Sequence, residues 1–214
     1  MMIRTCIPAF AVVPWLILLC APAGAHGQRV GSVLYQADAI HGWTGWIARG
    51  WKIRNGELVA DGPAGEIRAP YVPGRHHIRN YRVTVTIGGI AAYTDNGQEL
   101  DLEVRRAGTG GYMLSAPGCQ DYVGDCLELS DLSSKNELYK RAGYPDDGYP
   151  ILPGMTLTMT VRGSSITAWR QDNPDEYLML HAHSTEFSRG GFVALYNPID
   201  GQKLDISRVT ITGL

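Results

Sequence analysis

The chain has 214 residues, with 19 Lys+Arg against 21 Asp+Glu and a formal net charge of −2. That balance excludes a basic, nucleic-acid-binding surface as the organising feature of the molecule. Hydrophobic residues make up 44% of the chain, yet they are spread too evenly to form membrane spans beyond the first twenty-five positions.

Met1 to Ala25 reads as a secretory signal. Arg4 stands near the start, an apolar run extends from Ala9 to Cys20, and Ala23-x-Ala25 is a small-x-small cleavage pattern. The run is short for a membrane span and is broken by proline. Leu19 occupies the position where lipoprotein processing requires a small residue, which argues against lipid attachment at Cys20. The mature chain is therefore expected to begin at His26 and to be secreted, periplasmic or held at the cell surface. It spans 26–214, which is 214 − 25 = 189 residues, enough for one domain with a sizeable core. Loss of Arg4 leaves a mature charge of 18 − 21 = −3.

Along the mature chain, "HGWTGW" sets Trp43 and Trp46 among glycines, and Trp51 alternates with Ile53 as a core pattern. "YRVTVTI" places Tyr81, Val83, Val85 and Ile87 on one face of a strand. "ELDLEVRR" alternates Glu99, Asp101 and Glu103 with Leu100, Leu102 and Val104, so its leucines are expected inside and its carboxylates on the far face. "GYMLSA" and "CLELSDL" are further short strands. Between them lie Cys119 and Cys126, an even pair in an exported chain and hence a predicted disulfide. "LSSKNELYKRAG" is the best helix candidate, with Lys-Arg before Gly143 suiting a C-terminus. "YPDDGY" presents Tyr144 and Tyr149 in a loop. Four more strands follow: "MTLTMTVRG", "SITAWR" ending on Trp169 and Arg170, "YLMLHAH" with His181 and His183 on one face, and "GFVALYN". In the last stretch, Leu204 and Ile206 are out of phase with Val209 and Ile211, which predicts a bulge near Ser207-Arg208.

About a dozen short strands separated by turn signals such as "RNGE", "GTGG" and "NPIDG" predict an all-β sandwich or barrel. Faces that alternate apolar and polar predict antiparallel sheets with one side on the core. No repeat or low-complexity linker divides the chain.

The order of these patterns resembles a known superfamily. An early "W…W.I.NGEL..DG" (Trp46, Trp51, Asn55 to Leu58), then "NYRVTVTI", "LDLEVRR…GYML", "PGMTLTMTVRGSSITAW" and "GGFVALYNPIDGQKLDISRVTITGL" are similar to the concanavalin A-like lectin/glucanase superfamily. They are more closely similar to its laminin-G-like and 3-keto-disaccharide-hydrolase-like modules. The resemblance covers nearly all of the mature chain and is a pattern of strands and turns. It implies an antiparallel two-sheet jelly-roll β-sandwich, often with a saccharide surface on one sheet. Fold analogy does not assign activity.

The resemblance also raises two site hypotheses. Family-16 glycoside hydrolases of the same superfamily carry Glu-x-Asp-x-Glu on one strand. On that pattern Glu99 is the nucleophile, Asp101 its electrostatic neighbour and Glu103 the acid/base. Retention requires two carboxyls ~5–5.5 Å apart. Against this, the family's strand preceding the motif has no counterpart here, and "RRAGTGGYML" continues as in the non-catalytic modules. A solvated strand face offset by Arg105 and Arg106 is the expected reading. Many superfamily members also hold calcium between the early chain and the last strand, which implies Asp38 and Asp205 as ligands of a structural ion. His181 and His183 lack an evident third ligand and read as a hydrogen-bonded pair.

The function expected is a non-catalytic, lectin-like module for carbohydrate or another cell-surface polymer. Trp43, Trp46, Tyr144, Tyr149 and Trp169 are its candidate aromatic platforms. The alternatives are a small retaining glycoside hydrolase using Glu99 and Glu103, and a structural or adhesion module without a small ligand.

Overall fold

The structure, a computed structural model, describes residues 31–46, 48–92, 99–116, 126–133, 138–143, 151–173, 176–188 and 190–214. The expected signal segment, Cys119, Tyr144 and Tyr149 lie outside them, as does the Cys126 side chain, so the predicted disulfide does too.

The strands in chain order are β1 (Val33–Asp38), β2 (Trp51–Arg54), β3 (Glu57–Asp61), β4 (Gly65–Arg68), β5 (Tyr81–Ala92), β6 (Leu100–Ala107) and β7 (Gly110–Ala116). They continue with β8 (Cys126–Asp131), β9 (Tyr139–Gly143), β10 (Thr156–Arg162), β11 (Ser165–Asn173), β12 (Glu176–His183), β13 (Phe192–Asn197) and β14 (Lys203–Gly213). A 3₁₀ turn, Pro73–His76, links β4 to β5. Eight strands form one sheet in the order β12-β11-β10-β5-β14-β3-β2, with β1 also paired to β14. Six form the other, β4-β13-β6-β7-β8-β9.

Period-2 alternation explains why these layers meet. In the larger sheet Val83 and Val85 stand opposite Met159 and Leu157 on one side and Ile211 and Val209 on the other. In the smaller sheet Leu102 stands between Leu195 and Leu114, and Leu114 faces Leu129. All of these are fully buried in one hydrophobic cluster between the sheets. Each such side chain contributes roughly 1.5–3 kcal/mol relative to exposure. The β2–β3 hairpin turns on Asn55 (φ 51) and Gly56 (φ 81), the pair of positive dihedrals that a tight two-residue hairpin requires. Register shifts in β14 at Ile206/Arg208 restore the inward phase, as the sequence predicted.

Four expectations are corrected. Residues 139–143, the end of the predicted helix, are strand β9, hydrogen-bonded along β8. The Asp131 carboxylate accepts from the Ser133 and Leu138 amides, and the open edge of β8 offers a ladder that outweighs weak helix propensity. Ile53 is exposed rather than core, because β2 is an edge strand. Trp43 and Trp46 are core residues, not exposed platforms. Their rings meet edge to face, 5.8 Å apart, and their indole N–H groups donate to Gly56 O and Tyr35 Oη. Arg105 does not share the carboxylate face. It adopts φ 50 within a bulge of β6 and is itself buried, donating to Gly163 O and Arg79 O.

Candidate functional site

Leu100, Leu102 and Val104 point into the core, so Glu99, Asp101 and Glu103 lie on the outer face of the six-stranded sheet. The register is the one the sequence predicted, but the surroundings are not. Instead of a solvated face, all three carboxylate residues are buried, with Asp101 and Glu103 each 3% exposed. Asp101 lies between Tyr196 and Ser115, and the Ser115 hydroxyl donates to it. Gln202 clamps the Glu99 backbone, accepting from its N–H at 3.0 Å and donating to its carbonyl at 2.6 Å. Glu103 accepts from Arg106 Nε at 2.7 Å.

The electrostatics follow from this crowding. Burial, then the Glu99 charge, raise the Asp101 carboxyl well above the usual range, while the Ser115 hydrogen bond opposes them. Burial raises Glu103 to about 7, with Arg106 acting against it and Glu66 with it.

Beside this strip a cleft of about 710 Å³ opens between β4, β13, the end of β6 and the 3₁₀ turn. Its small lining residues are Gly45, Ala48, Ala69, Ala107 and Gly191. Gly191 is required where β13 passes β6, since a Cβ there would lie 2.3 Å from Arg106 O. Charged groups line the rest: Glu66, Arg68, Arg75 and Arg106. Glu66 joins two of the cations, at 2.5 Å from Arg68 Nε and 3.4 Å from Arg106 Nε. The Arg68 guanidinium also lies over the Phe192 ring, 4.1 Å from its centre. The result is a chain of charge-paired donors and acceptors, Arg68–Glu66–Arg106–Glu103, at the wall of an open cavity. Such pairs hold their side chains in one geometry and present the remaining N–H and lone-pair directions to a polar ligand.

The sequence reading missed this cleft. A signal was present: from Ile67 to Thr94 the chain has no Asp or Glu but carries Arg68, Arg75, Arg79, Arg82, His76 and His77. What joins Arg68 and Arg75 to Arg106 and Phe192 is strand pairing across distant segments.

The other candidates are dispersed. Trp169 is half-buried on the outer face of the eight-stranded sheet, opposite Met179, with the Arg82 guanidinium 5.4 Å from its ring centre. Asp38 and Asp205 are tied to different arginines. Asp38 accepts from the His41 and Ile40 amides and from Gln36, and lies 3.4 Å from Arg208 Nε. The His41 amide hydrogen bond leads in lowering its proton affinity. Asp205 pairs with Arg54 at 3.5 Å, and burial raises it. Among the described residues no group of three or more His, Cys, Asp or Glu is placed to hold a metal ion. His181 and His183 form an exposed pair with Nε2 atoms 3.3 Å apart, and Thr167 Oγ1 lies 3.0 Å from His181 Nδ1.

The fold is an all-β, two-sheet antiparallel sandwich. No family model matches the chain, and no curated protein matches it in sequence. Solved structures do. A carbohydrate-binding module, CBM66 from Bacillus subtilis, is similar with TM-score 0.55 and 15% identity, over 79% of this chain and 96% of that one. The CBM2 module of the evolved Dit protein from Lactobacillus casei BL23 phage J-1 gives TM-score 0.56 and 12% identity, over 87% and 98%. The exoplasmic/lumenal domain of VIP36, in a Ca2+/Man2-bound form, gives 0.58 and 11%, over 83% and 86%. At these identities the likeness concerns the fold.

Proposed function

We propose that the mature chain is an exported carbohydrate-binding module, with the cleft between β4, β13, β6 and the 3₁₀ turn as its saccharide site. One observation carries this reading: the ion-paired chain Arg68–Glu66–Arg106–Glu103 borders a cavity lined by small residues. A cavity of this size suits a small ligand. Guanidinium donors and carboxylate acceptors fixed side by side match vicinal hydroxyls, each of which donates and accepts. The secretory pattern of Met1 to Ala25 supports export, and the carbohydrate-binding module and the legume lectin-like domain among its structural neighbours support the ligand class. A glycan array run beside a hydrolysis screen tests the proposal. Binding without turnover, lost in Glu66→Gln and Arg106→Gln, is the expected result. Silence in both assays favours the structural or adhesion role.

A second reading has its own observation. Glu103 holds its proton to about pH 7, which is where a general acid for glycoside cleavage operates. A hydrolase using Glu99 and Glu103 predicts turnover of β-glucan or galactan that Glu99→Gln and Glu103→Gln both abolish. The Arg106 ion pair weighs against it, since it occupies the Glu103 carboxyl that would have to reach a glycosidic oxygen.

A further inference from the structure

The cleft carries more positive than negative charge. Arg68, Arg75 and Arg106 line it; Glu66 lines it too, and Glu103 reaches Arg106 from three residues earlier on β6. One carboxylate, Glu66, serves two guanidiniums. Arg75 is exposed on the 3₁₀ turn, and among the described residues no ion pair joins it to an acid. The surplus continues along the chain. The segment from Ile67 to Thr94 contains no Asp or Glu, although the protein as a whole is at −2. A local reversal of sign at a concave site focuses the field on an anion.

The aromatic content points the same way. Neutral pyranose rings are commonly gripped by an open aromatic face. Phe192 is the one aromatic among the described lining residues, and the Arg68 guanidinium already lies over its ring. Recognition in this cleft must therefore rest on the guanidiniums. Their planar forks match the two oxygens of a carboxylate, and the contact of Arg68 with Phe192 limits the entropy lost when that fork engages.

We infer that the saccharide bound in this cleft bears an oxyanion, such as a uronate carboxylate, gripped by Arg68, Arg75 and Arg106. This rests on the cleft being the saccharide site. Glu103, standing behind Arg106, supports it: as it gains a proton toward acid pH, it releases Arg106 to the ligand.

The test compares matched ligands by calorimetry on the exported protein: oligogalacturonate against its methyl ester, and sulfated dextran against dextran. The expected result is binding of oligogalacturonate that falls by roughly tenfold or more on esterification and again in Arg75→Gln. Binding should also weaken with added salt. Arg75 is exposed, so this variant keeps the fold, which circular dichroism verifies. Lys203→Gln, on the exposed face of β14, removes a like charge elsewhere and should leave affinity unchanged. Sulfated dextran bound in place of oligogalacturonate, with the same dependence on Arg75, supports the inference and identifies a sulfate ester as the oxyanion. Equal affinity for charged and neutral partners overturns it while leaving the saccharide reading intact. An equal loss in Lys203→Gln overturns it as unspecific attraction. Binding of none of the four overturns it together with the reading beneath.

Discussion

Arg106 Nε lies 2.7 Å from Glu103 Oε2, although residues three apart on a regular strand point to opposite faces. The bulge at Arg105, with φ 50, brings both side chains to the outer face and sends the intervening guanidinium the other way. A charged pair and a buried clamp therefore depend on one irregular residue.

The first prediction concerns pH. Glu103 is raised from 4.5 to about 7 on folding, so the native state binds its proton more tightly than the unfolded chain. Its stabilising contribution is complete below about pH 4.5 and is lost as pH rises through 7, on the order of 3 kcal/mol in all. Asp101 acts in the same direction. Urea unfolding between about pH 5 and pH 8 should show falling stability in the wild type and a shallower fall in Glu103→Gln. Equal slopes in the two proteins would remove Glu103 from the account.

Leu102→Ala should cost ~2–5 kcal/mol, through lost buried area and the cavity left between Leu195 and Leu114. The denaturation midpoint should drop without a change in slope. A loss below about 1 kcal/mol would contradict the inward register of β6.

The floor of the cleft gives a third prediction. Gly191→Ala sets a methyl group against the Arg105–Arg106 backbone, so β13 and β6 must separate. The expected cost is about 1–3 kcal/mol or more, with saccharide binding impaired. Gly108→Ala is a useful contrast: its Cβ meets nothing within 4 Å, and its penalty comes only from φ +57. The outcome against the account is Gly191→Ala matching the wild type in both stability and binding.

The sequence patterns revealed the sandwich because period-2 alternation is local. Val83, Val85, Leu157 and Met159 announce their inward face within a few residues. The same logic oriented β6 correctly. It anticipated Arg106 beside the carboxylates but failed on what else covers the outer face, since a strand does not record whether its polar side meets water or the Glu66, Ser115 and Gln202 of other segments. It failed on Trp43 and Trp46 for a related reason: glycine-rich surroundings look like an open loop, yet the rings turn inward and satisfy their N–H groups on Gly56 and Tyr35. The bulge in β14 was legible because it breaks an apolar phase. The one at Arg105 was not, because the charged residues there carry no such phase.

A fourth prediction concerns the two cysteines that remain after the expected signal segment. Cys119 and Cys126 should be joined, closing a short loop worth at most ~2–3 kcal/mol. Intact mass before and after reduction measures it. Two free thiols in protein purified from the exported fraction would refute the pairing.

The position of β14 has a kinetic consequence. It runs along β5 on one side, while β1 and β3 pair with it end to end on the other, so the middle of the larger sheet is closed by the last strand of the chain. Most of the polypeptide separates β1 from its partner. Loop closure on that scale must precede any reward from the ladder, which places refolding in the slow, millisecond-to-second class of topologies dominated by non-local pairing. Until β14 docks, the edges of β5, β3 and β1 remain open, and that interval is when two unfinished chains can pair with each other.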